Sequence, residues 1–204
     1  MIKFSADEVD VLKEIVNISY GMATSLITNA AGSYVKLSVP EIIVTDINDI
    51  QNQLDKIPVN LKNCIVTNQK FKGAYIGESL FLVDMSSAQN FASLMLEEPA
   101  DALDEEDIRS CALELSNILT SVSIGKLAEL LSSHMSFSAP NLVDSHIDDI
   151  VFTYRNNSFE HFFIIKTWLS GQESDVVGYL LIFINEESFE YLQETIEKFI
   201  DENF

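Results

Sequence analysis

Basic residues are scarce in this chain: twelve lysines and arginines stand against thirty-two aspartates and glutamates, a formal net charge of -20 over 204 residues. So negative a surface repels phosphate backbones and anionic lipid heads, which argues against nucleic acid and against membrane insertion and favours a partner with a basic face. Cysteine is nearly absent. Cys64 and Cys111 are too few for a disulfide framework, lack metal-ligand spacing, and read as buried small hydrophobes. His134 and His161 are isolated and support no triad. No long hydrophobic run occurs; Val176 to Ile184, near the end, is too short to span a bilayer. The opening Met1-Ile2-Lys3-Phe4 passes directly into Ser5-Ala6-Asp7-Glu8, with nothing resembling a signal peptide. The expectation is a cytoplasmic protein, in which the sequons at Asn17 and Asn156 have no meaning.

What the chain does have is a sparse polar pattern, written twice. Asp10-x3-Glu14-x2-Asn17 is followed by 22 residues and Pro40; Ser110-x3-Glu114-x2-Asn117 is followed by 22 residues and Pro140. One such four-point match arises by chance in ~1 in a few hundred chains of this length. Two in register indicate a duplicated unit. Further matches agree: Asp46-Ile-Asn-Asp-Ile50 with His146-Ile-Asp-Asp-Ile150, and Gly77 to Asp84 with Gly178 to Asn185. A period this long, in two copies, excludes a solenoid.

Ser5 and Glu8 have the spacing of a capping box and open a helical pattern that reaches about Ala30, where Gly32 ends it. Strands are expected at Ile42 to Thr45, Cys64 to Lys70 and Ala74 to Val83, with a short helix over Asp49 to Lys56 and a second amphipathic helix over Ser86 to Leu96. The second half repeats the order. An acidic cluster from Asp101 to Asp107 precedes a helix ending near His134; negative charge is favoured there by the exposed amides of a helix start. Strands are expected at Val151 to Tyr154, Phe162 to Leu169 and Val177 to Ile184, and a last helix at Glu187 to Ile200. The predicted class is α+β: one body of two pseudo-symmetric repeats, about residues 5–100 and 101–200. Each repeat combines a long motif helix, a mainly antiparallel sheet and a second helix. The apolar content of 47% suffices for a core.

At 100° per residue, Asp10, Glu14, Asn17 and Gly21 share one helix stripe, and Val11, Leu12, Ile15, Val16, Ile18 and Met22 take the other side. Ser110, Glu114, Asn117 and Ser121 form the matching stripe, facing solvent about one turn apart. Solubility tolerates almost any polar residue on such a face, so identical Glu and Asn positions in both copies point to function. The prolines shape the chain after each helix rather than touch a substrate. Asp144, His146, Asp148 and Asp149 read as a solvated turn or helix start rather than a metal site, because their counterparts Val44, Asp46, Asn48 and Asp49 lose most of the ligand set. Trp168 is expected in the core.

The pattern Asp/Ser-x3-Glu-x2-Asn-x22-Pro resembles the signature of the CheC family of chemotaxis phosphatases, the CheC, CheX and FliY group, over nearly the whole chain from about Ser5 to Ile200. Two motifs in a chain of this length resemble the two-site CheC type. The resemblance implies hydrolysis of the aspartyl phosphate on a CheY-like response regulator. It implies that Glu14 and Glu114 anchor the regulator through its active-site lysine, and that Asn17 and Asn117 place a carboxamide beside the phosphoryl group and orient the attacking water. Asp10, Ser110, Pro40 and Pro140 support the motif. Mg²⁺ would sit on the regulator, leaving this chain no cofactor or metal site of its own. The receptor deamidase CheD is a further partner implied by the family. The alternative is a non-catalytic chemotaxis or flagellar-switch interaction protein, as in FliM, which has a related fold without these motifs. A metal-dependent hydrolase of small phosphate esters would need a ligand cluster or a glycine-rich phosphate loop, and neither is in the sequence.

Overall fold

The computed structural model describes residues 4–32, 35–38, 41–57, 63–130, 132–144, 147–155, 159–170 and 175–203. Helix α1 spans Ala6–Ala31. Its start is fixed by the capping box: Ser5 Oγ accepts from the Glu8 amide and the Glu8 carboxylate accepts from the Ser5 amide. Gly32 closes it in the left-handed region at φ 60°. Next come β1 (Lys36–Leu37), β2 (Glu41–Asp46), and a 3-10 turn at Ile47–Asp49 that leads into the short α2 (Ile50–Leu54). The hairpin of β3 (Cys64–Gly73) and β4 (Gly77–Asp84) runs into α3 (Met85–Leu96). The second half follows the same order: α4 (Glu105–Leu130), β5 (Met135–Phe137), β6 (Asn141–Leu142), α5 (Ile147–Arg155), β7 (Phe159–Ser170), β8 (Asp175–Asn185) and α6 (Glu186–Asn203).

Among the described residues the strands form one eight-stranded sheet in the order β1-β7-β8-β4-β3-β5, with β2 also on β7 and β6 also on β3. Every pairing is antiparallel. The halves exchange edges: β1 and β2 pair with the hairpin of the second half, β5 and β6 with that of the first. At the centre Leu80 of β4 faces Leu181 of β8, its own counterpart 101 residues on. The pairs Gly77 with Ile184 and Val83 with Gly178 are exchanged by the same operation, so the duplication is a pseudo-twofold through the middle of the sheet. Gly77 and Gly178 recur because a Cβ on either would strike an aromatic ring, Phe71 at 2.4 Å or Phe81 at 2.5 Å.

Alternation along the strands divides the interior into two clusters. On one face Ile65, Phe71, Phe81, Phe163, Ile165, Leu180 and Ile182 pack under the layer of α1, α3, α4 and α6. On the other, Val66, Leu80, Leu82, Phe162, Ile164 and Leu181 meet Ile50, Leu54, Ile150 and Tyr154 from the short helices.

Several expectations fail for identifiable reasons. Val151 to Tyr154 is not a strand; it is the last part of α5, because burying Ile150 and Tyr154 one turn apart on the sheet overrides the β-branched and aromatic composition. Phe152 is left 70% exposed. Residues 74–76 precede β4 instead of opening it, and α4 stops at Leu130, short of His134. Trp168 is not core: it is 45% exposed, on the sheet face opposite α1, where the second cluster reaches no further along β7 than Ile164. Ile18 and Met22 are also exposed, at 41% and 47%. They lie on the flank of α1 that no other element covers closely enough to bury them. Cys111 is buried and Cys64 half-buried; burial raises both thiol pKa values, which suits inert packing.

Candidate functional site

Helices α1 and α4 pack against each other and turn their apolar residues toward the sheet, so Asp10, Glu14, Asn17, Ser110 and Glu114 point away from it. On α1 the residues Asp10, Glu14, Asn17 and Gly21 are all exposed. Asp10 is paired with Lys13 at 2.9 Å, a solvated i,i+3 contact of little energetic weight. The side chains of Glu14 and Asn17 have no hydrogen bond or ion pair among the described residues, so their polar atoms face outward unspent. At Gly21 an added Cβ would meet nothing within 4 Å. No packing among the described residues requires glycine there.

On α4, Ser110 and Glu114 are likewise exposed, and Glu114 has no hydrogen bond or ion pair among the described residues. Its helix start is held by Asp104 and Asp107: the Asp107 amide donates to Asp104 Oδ1 at 2.9 Å, and the Asp104 amide returns a longer bond of 3.4 Å to Asp107. Arg109 is engaged with Glu105 at 2.7 Å and, more weakly, with Asp144 at 3.8 Å.

Asn117 departs from the expected exposure. It is half-buried, and its Oδ1 accepts a 2.9 Å hydrogen bond from Nε2 of Gln69 on β3. The same Nε2 donates to the Ser138 carbonyl, also at 2.9 Å. Ser138 is two residues before Pro140, and the chain there is pinned to β3: the Ser138 amide donates to the Lys70 carbonyl at 2.9 Å and Ser138 Oγ accepts from the Lys70 amide at 3.0 Å. The fixed distance from Asn117 to Pro140 thus has a physical meaning. The chain leaving the helix must return to the strand that holds the asparagine. Two more buried bonds, Thr67 to Ser116 at 2.6 Å and Ser79 to Thr120 at 2.9 Å, tie this helix to the same hairpin.

The first half is built differently. Ser38, the counterpart of Ser138, donates its amide to the Trp168 carbonyl at 2.8 Å. The residue before Trp168 is Thr167, in the place that Gln69 has before Lys70, and its hydroxyl meets Tyr20 Oη at 2.6 Å. Tyr20 is fully buried, which pushes its pKa well above the usual phenol range despite that bond. Among the described residues nothing there reaches the Asn17 side chain. Pro40 and His146 lie outside the described residues. Gln69 and Ser138 were not recognised from sequence; the only signal was that a serine precedes both prolines by two positions, at 38 and 138.

Among the described residues no group of three or more His, Cys, Asp or Glu is placed to hold a metal ion, and no helix is long and apolar enough to cross a membrane. His161 is not isolated: it is buried, stacks on Phe189 at 3.7 Å and meets Glu186 at 2.5 Å. An apolar cavity bounded by Leu12, Val16, Phe71, Ile165, Ile182 and Leu192 includes none of the motif residues. Glu14, Asn17 and Glu114 sit on exposed helix surface, with Asn117 half-buried beside Glu114. Such a surface offers no enclosure to a small molecule and suits a partner that brings its own concavity.

No protein-family model matches the sequence. Similarity to solved structures is extensive but distant in sequence. FliY of Thermotoga maritima superposes with a TM-score of 0.71 at 17% identity, over 97% of this chain and 99% of that one. The FliM middle domain of Vibrio alginolyticus gives 0.62 at 9%, hence the same core with little shared sequence, over 92% and 99%. CheX of Desulfovibrio desulfuricans gives 0.51 at 12%, over 84% and 99%. The chain has the α+β fold that FliY, CheX and the FliM middle domain share.

Proposed function

We propose that this protein is a phosphatase for the aspartyl phosphate of a CheY-like response regulator, with two sites. The observation that carries the reading is the duplicated Glu/Asn pair, presented on the outward faces of two packed helices with the carboxylates of Glu14 and Glu114 unspent. Hydrolysis of an acyl phosphate asks for little covalent work: an in-line water must be positioned, and charge on the equatorial oxygens must be stabilised. An exposed carboxylate can take the regulator's lysine, and an asparagine one turn away can hold a water through its carbonyl oxygen and its NH₂ group. The regulator would bring the phosphoryl group and its Mg²⁺; this chain would bring the carboxamides. CheD is carried forward only as a partner the family resemblance suggests.

The likeness to the FliM middle domain favours a second reading, a binding module of the chemotaxis or flagellar-switch apparatus without turnover. The two readings separate in one assay. Added in catalytic amount to phosphorylated regulator with Mg²⁺, the protein should speed loss of the phosphoryl group while leaving small phosphate esters untouched. Binding without acceleration would favour the module, and turnover of a small ester without regulator would refute both.

A further inference from the structure

The two Glu/Asn pairs differ in one respect that their sequences do not announce: Asn117 is braced and Asn17 is not. Gln69 is fully buried, and its Nε2 is shared between two acceptors, Asn117 Oδ1 and the Ser138 carbonyl. Turning the Gln69 amide over would set its oxygen against both acceptors, so its orientation is fixed. Fixing it fixes Asn117 as well. Oδ1 must face β3, while both Nδ2 protons and the second Oδ1 lone pair stay available on the outward side. Gln69 Oε1 is buried without a partner among the described residues, a cost that accompanies this amide orientation. Beside α1 the matching strand position is Thr167 of β7, committed to Tyr20, and the Asn17 carboxamide is unrestrained among the described residues.

Resting on the phosphatase reading, we infer that Gln69 is a positioning residue that pre-organises Asn117, making the second pair the faster site and the first the more adaptable one. A carboxamide already turned toward the water loses less freedom on reaching the transition state, so the brace acts on turnover rather than on docking.

The test uses the full chain in two backgrounds, Asn17→Ala (second site alone) and Asn117→Ala (first site alone). Gln69→Leu should lower kcat about tenfold in the first background with KM for phosphorylated regulator within about twofold, as expected when a group acting in the transition state is misplaced. In the second background it should change neither. An equal fall in both, or a rise in KM alone, would overturn the proposal as a general structural effect. NMR order parameters of the side-chain amides, measured without regulator, give an independent reading. Asn117 should be rigid in the parent and as mobile as Asn17 after Gln69→Leu. If neither background turns over phosphorylated regulator, the phosphatase reading fails, and an Asn117 amide already as mobile as Asn17 in the parent would overturn the brace itself.

Discussion

Gly21 lies in the middle of a 26-residue helix, exposed, with open space where its Cβ would be. Glycine in a helix interior costs about 0.5–1 kcal/mol relative to alanine, and no contact among the described residues offsets it. Gly125 on α4 is also surrounded by open space but lies two turns past Asn117. Alanine at either position should therefore stabilise by about 0.5–1 kcal/mol in denaturant melts. The two should part in function. With the first site alone active, Gly21→Leu should lower turnover of phosphorylated regulator by roughly tenfold, because the partner approaches over that gap. Gly125→Leu should leave it unchanged. Equal tolerance at both glycines would show that the space over Gly21 is not used. Helical arithmetic placed Glu14, Asn17 and Glu114 correctly because their exposure depends only on which side of the helix meets the sheet. It misplaced Asn117, since the residue that half-buries it comes from β3, 48 positions away. It also misplaced Ile18 and Met22, because whether a neighbour covers the flank of an apolar stripe is a tertiary fact.

The elements were legible where local chemistry decides them and not where packing does. The capping box at Ser5 and the stop at Gly32 bound α1 as read. Residues 151–154 were misread although the repeat offered a correction, since a short helix was expected over Asp49 to Lys56 and the offset of 100 carries that segment onto residues 149–156. The two-residue strands β1 and β6 have no periodicity to detect; only the partner strand defines them. Helix α3 shows how one side chain sets an element's start. Asp84 caps it, accepting from the Ser87 amide at 2.8 Å and from Ser86 Oγ at 2.6 Å. Partial burial pushes this carboxyl pKa up, but the bonds from Ser86 and Ser87 outweigh it and hold the pKa below the ordinary 3.8. A folded pKa below the unfolded one means that the contribution is complete above about pH 3.8 and is lost as pH falls through the folded value. Asp84→Ala should cost about 1 kcal/mol at pH 7, and its deficit against the parent should shrink in denaturant melts below pH 4; Asp84→Asn, which still caps, should stay close to the parent at pH 7. A deficit for Asp84→Ala that stays constant down to pH 2 would contradict this account of the cap.

The exchange of edge strands is what joins the two repeats. Each motif helix is followed by strands that complete the other repeat's hairpin, so the pairs on α1 and α4 belong to one sheet whose centre is the contact of Leu80 with Leu181. The duplication was visible in the sequence as offsets of 100 and 101, whereas the exchange was not, because an offset says nothing about which hairpin an edge strand joins. The arrangement gives two related outward faces on a strongly acidic body, which on the proposed reading suit a partner that presents a lysine beside its phosphoryl group. Docking and hydrolysis are assigned to different residues, and that division is what most needs testing. The decisive comparison is phosphoryl loss from the regulator, and binding of its stable phosphoryl-mimic complex, for the parent and for the double variant Asn17→Ala/Asn117→Ala. Either single change should leave measurable turnover. The double variant should bind the mimic about as tightly as the parent and show no acceleration over spontaneous decay. Acceleration that survives the loss of both asparagines would contradict the account.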